Sequence, residues 1–135
     1  MRKALLTASL LFVAACSPRA DMAAGEKGVE AFHAALNAGK FDQIYASSDA
    51  EMKASTTTDA MRKLLDAIHR KLGNFESGKT VGWNDNSTTN GHFLTLNRNA
   101  QFERGTAKEQ FVFRINGSHS TLAGYNINSN ELITN

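Results

Sequence analysis

Asp59-Ala60-Met61-Arg62-Lys63-Leu64-Leu65-Asp66-Ala67-Ile68-His69-Arg70-Lys71-Leu72-Gly73-Asn74-Phe75 is the stretch that decides the fold. Met61, Leu64, Leu65, Ile68 and Leu72 recur at i, i+3, i+4, i+7 and i+11, the spacing of one apolar helical face. Asp59/Lys63 and Asp66/Arg70 add acid-before-base pairs one turn apart on the other side. Thr56 or Thr58 can cap the start, and Gly73-Asn74 stops the helix. At Phe75 the texture changes, so a helical half gives way to a strand half.

Downstream, apolar residues recur at every second position. Phe75, Val81 and Trp83 share parity, then His92, Leu94, Leu96, Ala100 and Phe102, then Phe111, Phe113 and Ile115, then Ala123, Tyr125 and Ile127. Eleven of the twelve asparagines lie from Asn74 onward. Asp85–Gly91, Arg104-Gly105-Thr106 and Asn116-Gly117-Ser118 read as the breaks, and Asn-Gly is a strong hairpin signal. Four strands joined by short turns predict an antiparallel meander with one face left for the helices to cover.

Upstream, Val29, Phe32 and Leu36 mark one face of a helix over Ala23 to Ala38, with Gly39 placed to end it. Phe41, Ile44 and Tyr45 suit a shorter helix, and Ser47 to Thr58 reads as a polar connection. The expected class is α+β, with two to three N-terminal helices packed on a curved four-stranded antiparallel sheet.

The N-terminus carries a different message. Met1-Arg2-Lys3 is a positive stretch, and Ala4 to Ala15 is apolar but far short of the roughly 20 residues that cross a bilayer. That plan is a secretory signal. Val13-Ala14-Ala15-Cys16 resembles a bacterial lipobox, which implies cleavage before Cys16 and lipidation of its thiol. The expected organisation is a lipoprotein signal peptide over 1–15, a lipidated tether over 16–22 and a single domain over 23–135. Ser17 in place of aspartate, by resemblance to Gram-negative lipoproteins, implies the outer membrane facing the periplasm.

The chain has 135 residues, with 15 Lys+Arg against 13 Asp+Glu. Removing residues 1–15 takes Arg2 and Lys3 and leaves 13 basic against 13 acidic residues, so the charge gives no reason to expect a nucleic-acid partner. A single cysteine excludes an internal disulfide and any cysteine-built metal centre.

Ala31-Phe32 through Gly39-Lys40-Phe41-Asp42-Gln43-Ile44-Tyr45, then Leu64 through Leu72-Gly73, then Glu109-Gln110-Phe111-Val112-Phe113 and Leu122-Ala123-Gly124-Tyr125-Asn126-Ile127 carry a resemblance. In this order they resemble small exported bacterial proteins of uncharacterised families within the cystatin-like, nuclear transport factor 2-like superfamily. That resemblance implies a cone-shaped space between helices and sheet, and in enzymes of this kind an inward acid with a tyrosine donor.

Glu109 and Tyr125 are the candidates for such a catalytic pair. The simpler reading makes Glu109 a boundary carboxylate in an ion pair and Tyr125 a core residue with its hydroxyl at the rim. Asp42 and Asp85 are the other acids near the cone openings. His33, His69, His92 and His119 show no metal-ligand spacing and read as surface or boundary residues, so no metal or other cofactor is expected.

Trp83, Phe93, Tyr125, Arg98 and Arg114 are the candidate binding residues, and Arg98, Arg104, Lys108 and Arg114 form a modest basic group. The aromatic residues could equally be core. Phe93 has the opposite parity to Leu94 and Leu96, which would suit a second buried face for a homodimer or another partner. The leading expectation is an envelope-anchored binding or interaction module, held to the membrane by the lipid on Cys16, with an unknown protein or small-molecule partner. The alternatives are a small enzyme using the acid/tyrosine pair, or an immunity or inhibitor lipoprotein against a periplasmic enzyme.

Overall fold

A computed structural model describes residues 17–134, so the stretch read as a lipoprotein signal peptide over 1–15 and Cys16 lie outside the described residues. The order is α1 (Pro18–Asn37), α2 (Phe41–Ala46), α3 (Ala50–Ser55), α4 (Thr58–Leu72), β1 (Phe75–Thr88), β2 (Gly91–Phe102), β3 (Gly105–Asn116), β4 (His119–Asn128) and α5 (Asn130–Thr134). The strands form one antiparallel sheet in the order β1-β2-β3-β4. The class is α+β, as the change of period at Gly73-Asn74 predicts.

α1 begins earlier than the apolar spacing suggests. Ser17 caps it by accepting from the Ala20 amide at 3.3 Å, Pro18 stands at the first helical position, and Asp21 complements the first-turn dipole. Most of the stretch expected to be a tether over 16–22 is therefore helix. A proline counts as a helix breaker only away from this position.

α3 corrects the polar connection: the Asp49 carboxylate accepts from the Glu51 amide at 3.0 Å and starts a short helix that buries Met52. α4 packs on α2, α1 and α5 and buries Met61, Leu65, Ile68 and Leu72. Leu65, Ile68 and Leu72 have no exposed surface, each worth about 1.5–3 kcal/mol of transfer free energy. Leu64, at the edge of the stripe, is left exposed.

β1 runs through Asp85 to Thr88, so the first turn is tighter than the sequence suggests, with Thr88 opposite Gly91. Bulges shift the phase three times, between Phe75 and Ser77 and between Thr80 and Gly82 in β1, and opposite Val112/Phe113 in β4. Val81 therefore falls at a bulge and is exposed, while Leu122 and Tyr125 both reach the helix-covered side.

α1 lies across the covered face and touches all four strands. Two glycines allow that closeness. A Cβ at Gly25 would stand 2.6 Å from a Leu94 methyl, and one at Gly28 would stand 2.6 Å from the Phe113 ring. Phe32, Phe102, Phe111 and Phe113 fill the centre of the core. Among the described residues no helix is long and apolar enough to cross a membrane.

Candidate functional site

The covered face of the sheet carries polar residues where period-two spacing calls for apolar ones: His92 and Arg98 on β2, Glu109 on β3. Each meets a residue of the opposite kind on α1. The three meetings differ in how fully they are satisfied.

At one end, His33 is buried and its ring stacks on Phe75 at a centroid distance of 3.6 Å. Its Nε2 lies 3.1 and 3.0 Å from the two Glu109 carboxylate oxygens. The Tyr125 hydroxyl donates to Glu109 Oε1 at 2.7 Å. Burial, the Glu109 charge and that hydrogen bond hold the Tyr125 phenol well above its ordinary value, so it stays a donor. Glu109 side-chain exposure is 0% and His33 4%, and Phe32, Phe75, Phe102 and Phe111 surround the pair.

In the middle, Arg98 Nη1 donates to Glu26 Oε2 at 2.5 Å and to the Thr80 hydroxyl oxygen at 2.8 Å, and Thr80 in turn donates to Glu26. Arg98 is thus an internal tie between α1 and the sheet, and its Nε is buried without a partner among the described residues.

At the other end, Asp21 of α1, Asp85 of β1 and His92 of β2 bring their ligand atoms within 4.8 Å of one another. His92 Nε2 lies 2.5 Å from Asp85 Oδ1 and 3.4 Å from Asp21 Oδ2. Asp21 is buried, and desolvation followed by the Asp85 charge raises its carboxyl above the ordinary value, although His92 pulls the other way.

Glu109 and Tyr125 are therefore brought together with His33, and Glu109 also lines a groove of about 420 Å³ beside Arg98, Lys108 and Gln110. Four cavities on the described surface are lined by neither His33 nor Tyr125. The binding candidates do not share a surface. Tyr125 and Arg98 face the interior; Trp83 is exposed on β1; Phe93 lies under the Arg114 guanidinium, 4.6 Å from its ring centroid. Arg114 also donates to Asp49 at 2.8 Å, and Arg104 donates to the Lys71 and Arg70 carbonyls at the end of α4. The basic group expected from the sequence is dispersed by these contacts. Asp42 is exposed and paired with Arg62.

His33 corrects the surface reading of the histidines. It sits four residues after Val29 and three before Leu36, in phase with the buried stripe, which is the signal that marks it. Arg98 shares parity with Leu96 and Ala100 in the same way. Asp21 carried no such signal, because its role depends on α1 starting at Pro18.

The family model described as "Protein of unknown function (DUF3887)" matches residues 29–120. The chain belongs to this family. The DUF3887 match spans His33, Asp85, His92, Arg98 and Glu109 and stops short of Asp21 and Tyr125. No curated protein matches the chain at a significant level.

The open face of the sheet is of another character. Asn97, Asn99, Gln101, Gln110, Asn126 and Asn128 are exposed on it. A shallow groove of about 790 Å³ crosses it between Lys79, Asn99, Gln101, Lys108 and Asn128, and a second of about 420 Å³ continues past Asn97 and Asn126. The Gln110 amide donates to the Asn97 carbonyl at 3.0 Å, so part of this array orders itself.

Proposed function

We propose that this protein is an envelope-anchored lipoprotein whose domain binds a partner and performs no chemistry. The observation that carries the binding half is the contrast between the two faces of the sheet. The covered face, where an acid and a tyrosine meet, is filled there by aromatic rings, and the cavity of about 270 Å³ on that side, lined by Phe32, Ile44, Phe113 and Leu122, reaches neither of them. The open face presents donor and acceptor amides along a groove, which suits a polar partner such as an extended chain or a hydroxyl-rich ligand. The anchoring half rests on Met1 to Cys16 and its likeness to a lipobox. The resemblance to nuclear transport factor 2-like proteins agrees with helices laid on a meander.

The enzyme reading is weaker. Tyr125 donates to Glu109 as such a mechanism would want, but Glu109 is also tied to His33 and its side chain has no exposed surface.

Two measurements test the proposal. A palmitate analogue should label the protein in cells, and Cys16→Ser should lose both the label and sedimentation with membranes; unchanged labelling contradicts the anchor. A photo-crosslinker at Asn99 should give a discrete adduct in intact envelopes, while one at Lys63, exposed on α4, should not. Equal adducts from both positions, or none from Asn99, contradict binding through the open face.

A further inference from the structure

We propose that Asp21, Asp85 and His92 form a divalent-cation site of the zinc class, built between the start of α1 and the β1–β2 hairpin. The argument begins with a donor count. The His92 Nε2 can carry one hydrogen, and Asp85 Oδ1 at 2.5 Å is far closer than Asp21 Oδ2 at 3.4 Å. Asp21 is 97% buried, since its relative exposure is 3%, and its carboxylate faces the Asp85 carboxylate and His92 Nε2, the latter at 3.4 Å. Neither aspartate is paired with a lysine or arginine among the described residues. Two carboxylates facing each other with one shared imidazole lack positive charge, and burial makes that lack costly.

The geometry fits a metal ion. Two ligands each about 2.1 Å from one zinc ion at a tetrahedral angle lie about 3.4 Å apart, which is the separation already present between His92 Nε2 and Asp21 Oδ2. Asp85 would move from hydrogen bonding His92 to joining it on the ion. Asp85 and His92 are diagonal neighbours across a hairpin pair, and Asp21 is held by a capped helix, so all three ligands stand on rigid elements. Imidazole with two carboxylates favours zinc over the oxygen-only preferences of magnesium and calcium. With His92 21% and Asp85 14% exposed, the fourth position opens toward solvent.

The test is calorimetric titration of Zn²⁺ into the full chain in detergent, stripped with chelator and carrying Cys16→Ser so that no thiol competes. One Zn²⁺ should bind per chain. Asp21→Asn and His92→Gln should each weaken it at least about tenfold, while His119→Gln, on an exposed histidine of β4, should leave it unchanged. No binding at millimolar Zn²⁺, equal binding by Asp21→Asn, or loss in His119→Gln overturns the proposal. Should Asp21→Asn fail to fold, X-ray absorption of the zinc-loaded parent decides: one nitrogen with oxygen neighbours supports the site, and a shell of several imidazoles overturns it.

Discussion

Two ends of α1 carry the same chemistry with opposite outcomes. At the Phe75 end, one carboxylate, Glu109, takes donors from both His33 and Tyr125. At the hairpin end, two carboxylates, Asp21 and Asp85, compete for the single donor of His92. The first is a closed polar core and the second is short of positive charge. Burial of an acid thus says little until its donors are counted.

The largest effect comes from breaking the closed end. Glu109→Ala strands His33 and Tyr125 and should cost about 3–5 kcal/mol in denaturant unfolding, as removal of one partner of a buried pair does. Glu109→Gln keeps the shape but turns one donor toward another, and should cost about 1–3 kcal/mol.

The helix must also stay close to the sheet for either end to form. Gly28→Ala would push its Cβ against the Phe113 ring and the Ser120 hydroxyl, at 2.6 and 2.7 Å, and should cost about 1–3 kcal/mol by overpacking. Thermal unfolding measures it, and an unchanged midpoint would show that α1 can lift without loss.

A third pair outside α1 sharpens the comparison, because there the acid is well supplied. Burial alone would raise Asp49, but the Arg114 hydrogen bond, the Glu51 amide and the Arg114 and Lys53 charges outweigh it and hold the carboxyl below its ordinary value. A lowered folded value means stability that is present above the ordinary range, about 3.9, and lost as pH falls through the folded value. Arg114→Ala should cost about 1–2 kcal/mol at pH 7 and flatten this acid limb. A parent and variant with parallel pH–stability curves would contradict the assignment.

Much of this was legible in the sequence, and the reasons are specific. Met61 to Leu72 and Leu94 to Phe102 announce their period because each buries one continuous face. His33 sits in phase with Val29 and Leu36, Arg98 with Leu96 and Ala100, and Glu109 with Phe111 and Phe113, so polar residues at buried positions were the sign of the internal pairs. What was hidden is long-range. That Asp21 meets Asp85 and His92 depends on α1 starting at Pro18 and on Gly25 letting the helix settle onto Leu94, and neither is a property of local spacing. The bulges in β1 and β4 likewise shift parity in ways that no alternation displays.

The smallest expected change is the most telling one. Asp21→Asn removes one of two facing carboxylates and supplies an amide donor to Asp85, so in chelator-treated buffer it should stabilise the protein by about 0.5–1.5 kcal/mol. Side-by-side unfolding of Asp21→Asn and Glu109→Gln at pH 7 is therefore the direct measurement. Midpoints that move in opposite directions, up for Asp21→Asn and down for Glu109→Gln, are the predicted result; a fall of similar size in both would show that the two ends of α1 are equally satisfied and contradict the account.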